Sequence, residues 1–203
     1  MSSTSSPLSS AAILQAATAL VQRYGEAKTN MVDIGRALGV SHAALYRFYP
    51  SKSAVMDAIA QQAMDDEAAM AAAYVDADGA AGTRLEAMIL DLHHRKRARF
   101  AGDREIHDLY RRLLIERQDM IAAYAARMTA LIAQIIGQGV ARGEWRVDDA
   151  ATAAGVVRDT VTVYVHPLFV AQAVEAALPV EAQLRATLAT LIRAFEAGVR
   201  YDR

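Results

Sequence analysis

The sequence predicts an all-α protein. Alanine is its most frequent residue, whereas glycine and proline, which punctuate β-proteins, number only 11 and 4 among 203 residues. Apolar residues also recur at helical spacing over long stretches, for example at Ile121, Tyr124, Met128, Leu131 and Ile135. Together these observations predict about nine helices and disfavour a sheet.

The first four predicted helices are bounded by capping residues. Each begins at a serine, threonine or asparagine and ends at a glycine, a proline or a loop of small polar residues. Their predicted ranges are 10–24, 30–38, 41–50 and 51–74. Gly35 lies inside the second of them, where it costs roughly 1 kcal/mol of helix propensity unless close backbone packing requires it.

A loop over residues 76–82 separates these helices from the rest of the chain. Thr83-Arg-Leu-Glu86 then fits a capping box and begins a helix that runs to about Phe100. His166-Pro167 must end or kink a later helix, of which residues 168–178 are read as the continuation. The other predicted helices span 104–116, 119–141, 148–165 and 179–199.

The absence of cysteine limits the chemistry of this chain. It excludes a disulfide framework, a thiol nucleophile and cysteine-ligated zinc, and it is consistent with a reducing cytoplasm. The first ten residues lack the basic and apolar regions of a signal peptide, and we expect no membrane-spanning stretch and no membrane partner. Residues 1–9 are rich in serine and are predicted to form a disordered tail.

Residues 29–52 are the most informative stretch of the sequence. They predict a helix, a turn centred on Gly39 and a second helix, followed by the capped and basic start of another helix at Ser51-Lys52. A helix of this size fits the major groove of B-DNA, where each base pair presents a distinct pattern of donors and acceptors. Five basic against three acidic residues give positions 1–60 a formal charge of +2, which permits DNA binding without demanding it.

Several short motifs have the spacing of one known family. They are Ile13-Leu-x-Ala16-Ala17, Gly25 with Thr29, Asp33-Ile34, Gly39-Val40-Ser41, Leu45-Tyr46 and Ser51-Lys52. Over residues 11–60 the chain therefore resembles the TetR family of transcriptional repressors. The resemblance implies an all-α homodimer in which a three-helix helix-turn-helix head is joined by a long fourth helix to a helical ligand-binding and dimerisation body. We assign the DNA-binding head to residues 10–56 and the body to residues 57–203.

The resemblance implies phosphate contacts at Asn30, Tyr46 and Lys52. A helix N-terminus presents free N–H groups and partial positive charge, so Asn30 and Lys52 stand where a phosphate is stabilised. Base contacts are expected from the exposed start of the third helix. The complete predicted DNA-binding set is Asn30, Val32, Ser41, His42, Ala43, Ala44, Tyr46, Arg47 and Lys52. Without the flanking motifs, the ring of Tyr46 would be interpreted as covering the core of the head, and Lys52 as a solvated surface lysine.

The chain departs from the family pattern in three places. Glu26 replaces an aromatic residue, Gly35 replaces an alanine, and Phe48 replaces a histidine or tyrosine. Because the phenylalanine side chain has no hydrogen-bonding group, the last change removes one expected phosphate contact.

The body has a high density of aromatic and histidine side chains, which suits a partly apolar pocket with a few polar anchors. The predicted ligand-binding residues are His107, Tyr110, Tyr124, Arg158 and Tyr164. Plain core packing is the alternative interpretation, because tyrosines at helical spacing are usually core residues. The basic run Arg95–Arg99 is interpreted as a solvated or salt-bridged face. No metal or cofactor is expected, because no known metal-ligand spacing occurs.

The last two long helices, about 148–165 and 179–199, are rich in small and aliphatic residues and are predicted to form a homodimer interface. The leading hypothesis is a repressor that binds a palindromic operator as a dimer and is released by a small molecule. The alternative is a DNA-binding protein with a closed body and no inducer. An all-helical enzyme is the third hypothesis, and we expect no enzyme because no nucleophile motif, phosphate loop or metal motif is present.

Overall fold

The computed structural model describes residues 8–102 and 104–201. These residues form ten α-helices: α1 Ser10–Tyr24, α2 Met31–Leu38, α3 His42–Leu45, α4 Lys52–Asp76, α5 Ala81–Gly102, α6 Arg104–Glu116, α7 Gln118–Ala141, α8 Ala150–Val165, α9 Pro167–Glu175 and α10 Val180–Ala197. No strand occurs among them, and the all-α prediction is confirmed. α9 is a helix of its own because His166 is extended and its ring caps the new helix by accepting the Leu168 N–H. The predicted tail of residues 1–9 lies outside the described residues, apart from Leu8 and Ser9.

The described helices fall into two compact units. The first unit consists of the described parts of Met1–Ala63 and Asp103–Glu116, and the second of Met64–Gly102 and the described part of Arg117–Arg203. α4 therefore contributes residues to both units, and α6 belongs to the same unit as α1, α2 and α3. No sequence pattern predicted that α6 belongs to the same unit as the first three helices. The functional boundary between head and body after residue 56 stays a prediction.

The core of the first unit is built around α1. Its stripe of Ile13, Ala17 and Val21 is fully buried, as are Ile34 of α2 and Leu45 of α3. Helices as short as α2 and α3 are marginal in isolation, so burial of these aliphatic side chains is what stabilises them.

The backbones of α2 and the following turn approach each other closely at Gly35. A Cβ atom on this residue would lie 2.9 Å from the Val40 carbonyl oxygen and 3.2 Å from the His42 amide nitrogen. Both of these atoms belong to the backbone, so they cannot rotate away as the end of a flexible side chain can. Close backbone packing therefore explains a glycine that weakens the helix it belongs to.

One face of α7 lies in the core of the second unit. Its Ile132, Ile135 and Ile136 are buried in a cluster that also contains Val157 of α8. Over Gln118–Ala141 the helix is long and apolar enough to cross a membrane by length and composition alone, which corrects the expectation that no stretch reaches that length. In this structure one face of α7 packs against α5 and α8, and the opposite face is exposed.

We expect Gly35→Ala to destabilise the protein, although alanine is the better helix former by about 1 kcal/mol. The added methyl group must displace the Val40 carbonyl, and overpacking costs about 1–3 kcal/mol. Gly137→Ala in α7 is the matched control, because nothing lies within 4 Å of its Cβ position. This control should stabilise the protein by about 1 kcal/mol. Urea unfolding followed by circular dichroism measures both free energies, and a Gly35→Ala protein at least as stable as wild type would contradict the close approach.

Candidate nucleic-acid interface and effector region

The third helix is shorter than the sequence predicts. α3 ends at Leu45, and the amides of Phe48 and Tyr49 both donate to the Leu45 carbonyl, at 2.9 and 3.0 Å, in a turn that precedes Pro50. The Leu45 side chain is fully buried and anchors the helix. Around it lie exposed or half-buried side chains: Ser41, His42, Ala43, Ala44, Tyr46 and Arg47.

Five of the predicted DNA-binding residues line one open depression of about 540 Å³. They define what we call the head depression: Asn30, Val32, His42, Tyr46 and Lys52. Its lining is completed by Met31, Asp33 and Arg36. The four other predicted residues lie on or beside α3 outside this lining: Ser41, Ala43, Ala44 and Arg47. The structure thus brings side chains of α2, α3 and α4 together, and their contact with DNA stays a prediction.

The predicted phosphate contacts differ in what they do in the free protein. Asn30 caps α2, because its Oδ1 accepts a backbone N–H of the first turn at 3.0 Å. Tyr46 is 48% exposed, and its ring meets that of His42 edge-to-face with the centroids 6.1 Å apart. The ring therefore does not cover the core of the head. Lys52 is half-buried and donates from Nζ to the Glu26 carbonyl at 2.6 Å. A phosphate would therefore meet a lysine that is already held in place.

The turn between α1 and α2 is fixed by charged residues that no sequence motif marks. Glu26 forms a bidentate ion pair with Arg112 of α6, at 3.0 Å from Nε to Oε2 and 2.7 Å from Nη2 to Oε1. Gly25 has a φ of 82°, and a Cβ atom there would lie 2.6 Å from a carboxylate oxygen of Glu105. The departure from the family pattern at Glu26 thus has a structural explanation, since Arg112 matches its charge.

The five predicted ligand-binding residues do not all lie in one unit. His107 and Tyr110 are buried in α6 of the first unit, whereas the second unit contains Tyr124, Arg158 and Tyr164. Arg158 forms a partly exposed ion pair with the next residue at 2.8 Å. The backbone carbonyl of Tyr164 lies 2.6 Å from a ring nitrogen of a buried histidine, and the Tyr124 hydroxyl reaches a buried carboxylate. Their shared role in ligand binding stays a prediction.

Tyr124 belongs to a buried charge cluster that the sequence does not reveal. Its hydroxyl donates to Oε2 of Glu67 at 2.7 Å, and the same carboxylate pairs with Lys96 Nζ at 2.6 Å and Arg99 Nη1 at 2.8 Å. We call these four residues the Glu67 cluster. Only 2% of the Glu67 side chain and 9% of the Lys96 side chain are exposed. The basic run is thus salt-bridged, one of the two predicted states, and two of its members pair with a carboxylate that is buried.

The Glu67 carboxylate stays ionised at neutral pH. Burial alone would raise the pKa of Glu67, but the charges of Lys96 and Arg99, with hydrogen bonds from Lys96 and Tyr124, hold that pKa below its ordinary value. Burial lowers the pKa of Lys96, and the charge of Glu67 opposes this effect. Burial and then the charge of Lys96 also lower the pKa of His166, so its imidazole is neutral at pH 7.

We expect a measurable coupling between Glu26 and Arg112. A double-mutant cycle of Glu26→Gln and Arg112→Gln should give about 1 kcal/mol in urea unfolding, because the pair is bidentate and its side chains are only 25% and 30% exposed. Asp65 and Arg127 form the control pair, with a contact of 2.9 Å and both side chains more than half exposed. Their coupling should stay below about 0.5 kcal/mol. Equal coupling in the two cycles would contradict a structural role for Glu26.

Solved structures share this fold at low sequence identity. A transcriptional regulator from Pseudomonas aeruginosa PAO1 has a TM-score of 0.68 over 97% of this chain and 96% of its own, at 18% identity. SmeT, the repressor of the Stenotrophomonas maltophilia multidrug efflux pump SmeDEF, has a TM-score of 0.66 over 94% and 92%, at 19% identity. FadR from Bacillus subtilis, in complex with stearoyl-CoA, has a TM-score of 0.60 over 94% and 100%, at 15% identity. These likenesses show the fold alone, and no curated protein matches the chain.

Two family models match the chain. One describes bacterial regulatory proteins of the tetR family and matches residues 13–59, which contain α2 and α3. The other describes the C-terminal domain of tetracyclin repressor-like proteins and matches residues 81–187, more than half of the chain. The resemblance seen in the sequence of the head is confirmed and extends through most of the body. The chain belongs to the tetR family of bacterial regulatory proteins.

Proposed function

We propose that this tetR-family regulator is a repressor that binds a palindromic operator as a homodimer and dissociates when a small molecule binds its body. The head depression carries the proposal, because it gathers side chains of α2, α3 and α4 on one exposed surface. A regulator of bacterial transcription acts where the DNA is, so we propose a cytoplasmic location.

The residues of the head divide between the DNA backbone and the bases. Asn30 and Lys52 stand at the starts of α2 and α4 and contact phosphates, and Tyr46 adds a hydroxyl donor to the backbone. α3 enters the major groove, where Arg47 donates to guanine or to a phosphate and Val32 meets a thymine methyl group. The remaining base-reading residues are Ser41, His42, Ala43 and Ala44.

The effector acts through its difference in affinity for the free and the DNA-bound states. α4 is continuous from Lys52, which belongs to the first unit, to Asp76, which belongs to the second. We propose that ligand binding displaces α4 and thereby breaks the phosphate contact of Lys52. A ligand-bound protein of the same fold, FadR from Bacillus subtilis in complex with stearoyl-CoA, supports a small-molecule effector. The proposed ligand-binding residues are His107, Tyr110, Tyr124, Arg158 and Tyr164.

α8 and α10 are the proposed dimer helices. Val156 and Val163 of α8 are exposed although they are aliphatic. A shallow groove of α8 and α10 lies on the surface, lined by Thr160, Gln183, Ala186, Thr187, Thr190 and Leu191. Covering such a face with a second copy removes apolar area from water. The two-fold pair would present its α3 helices to half-sites about 34–36 Å apart or a multiple of that distance.

Selection of random duplexes against the purified protein tests operator recognition. We expect a palindromic sequence to be enriched. Tyr46→Phe should weaken binding to it about tenfold, because a hydrogen bond to a charged phosphate contributes about 1.5 kcal/mol. Lys52→Ala should reduce the slope of log affinity against log salt concentration by about 1 per subunit. Fluorescence anisotropy at several salt concentrations measures both effects.

Tyr24→Phe and Arg111→Ala are the matched controls. Tyr24 is 47% exposed, nearly the same as Tyr46, and Arg111 is an exposed cation of α6 outside the head depression. Neither change should alter affinity for the selected duplex by more than about twofold. Recognition of an operator is refuted if no duplex is enriched at a salt concentration where non-specific binding persists.

We expect Ala186→Arg to separate the dimer into monomers. The added guanidinium would meet its symmetry mate in the interface, where burying unpaired charge is costly. Ala122→Arg, on the exposed face of α7, should remain dimeric. Sedimentation equilibrium measures the association state, and the monomer should lose operator binding because one α3 reads too few base pairs. An Ala186→Arg protein that dimerises as wild type does would place the interface elsewhere.

A further inference from the structure

Lys96 has fewer acceptors than its ammonium group can use. Its Nζ carries three N–H donors. Among the described residues, the hydrogen bond that Nζ donates is to Oε2 of Glu67, at 2.6 Å. That carboxylate is shared with Arg99 and Tyr124. The other contact of Lys96 is with the face of the Tyr124 ring, 5.3 Å from Nζ to the centroid. Lys96 Nζ therefore shares its carboxylate with a second cation and a hydroxyl.

Burial makes this arrangement costly. With 9% of the Lys96 side chain exposed, water does little to satisfy its other donors. A buried ammonium group is stabilised only when anionic oxygens replace the water that it has lost. Burial and the charge of Lys96 lower the pKa of the neighbouring His166, so its imidazole adds no second positive charge there. An additional anionic oxygen would accept hydrogen bonds from the N–H donors of Lys96 that Glu67 does not use.

Each of three members of the Glu67 cluster has an apolar residue about one helical turn away on its own helix. These residues belong to the core or its edge: Met70 near Glu67, Leu92 near Lys96 and Met128 near Tyr124. Methionine side chains adapt to apolar groups of different shapes. This combination suits a molecule with one anionic group and an apolar body.

We propose that the effector is a carboxylic acid with an apolar body, and that its carboxylate binds Lys96 Nζ, the Arg99 guanidinium and the Tyr124 hydroxyl. The proposal deepens the proposed ligand response and rests on it. The incoming carboxylate competes with Glu67 for its donors, and Glu67 lies on α4, the helix that begins at Lys52. Binding of the acid would thus loosen the ties of α4 to α5 and α7.

The probes are octanoate and benzoate, and the binding of each acid is compared with that of its own amide. Each acid has nearly the shape of its amide but also carries the negative charge that Lys96 requires. We expect at least one acid to raise the thermal unfolding midpoint of the full chain. By calorimetry it should bind about tenfold more tightly than its amide, the factor expected of one charge-assisted hydrogen bond. Inorganic phosphate at the same ionic strength controls for general anion effects.

Lys96→Met and Lys28→Met are the matched variants. The first removes the buried cation, so the preference for the acid should disappear, whereas the exposed Lys28 is expected to be dispensable. Equal binding of both acids and their amides to wild type would overturn the proposal, and so would an acid preference that survives in folded Lys96→Met. The wild-type comparison of acid with amide decides the question even if that variant does not fold.

Operator binding is measured on the same preparation. A protein that binds the selected duplex but shows no acid preference would refute the ligand class and leave DNA recognition intact. A protein that binds the acid at Lys96 without releasing the duplex would support the site and refute the release mechanism. Release of the duplex by the acid, and not by its amide, is the result that we expect.

Discussion

The positions of the proposed DNA-binding side chains depend on the packing beneath α3, a helix too short to be stable by itself. α3 has four residues, too few for a stable isolated helix. Burial of Leu45 fixes it to the core, and the absence of a side chain at Gly35 lets the backbone of the preceding turn come close to α2. Buried atoms of Leu45 and Gly35 therefore position the exposed residues of α3.

Charged side chains have different roles in the two units. The Glu26–Arg112 pair is partly exposed, so its main effect is to restrain the turn that leads to Asn30, and its energetic contribution is modest. The Glu67 carboxylate is buried, so solvent cannot compensate for the loss of a partner. Any charged group that enters beside Lys96 changes the energy of the whole Glu67 cluster. A charged ligand bound there would therefore affect this cluster more strongly than it would affect a surface ion pair.

Local patterns in the sequence predicted those parts of the fold that neighbouring residues determine. The cap at Asn30 and the left-handed stop at Gly39 are both observed, because each acts within a few positions of the chain. The two charge pairs that matter most join residues 86 and 29 positions apart: Glu26–Arg112 and Glu67–Lys96. A charged residue at helical spacing gives the same pattern whether it faces water or a neighbouring helix. The sequence therefore predicted a solvated or salt-bridged face for the basic run, but it could not predict that the paired carboxylate is buried.

Lys52 illustrates why a proposed DNA contact need not be free in the unbound protein. Its bond to the Glu26 carbonyl holds the side chain in one position at the start of α4. A restrained lysine has less rotamer entropy to lose on binding, and that entropy is worth up to about 2 kcal/mol for a solvated lysine. Nζ has further donors, and a hydrogen bond to a charged phosphate is about twice as strong as one to a neutral carbonyl. The interaction that occupies Lys52 in the free protein therefore also prepares it for the phosphate contact proposed here.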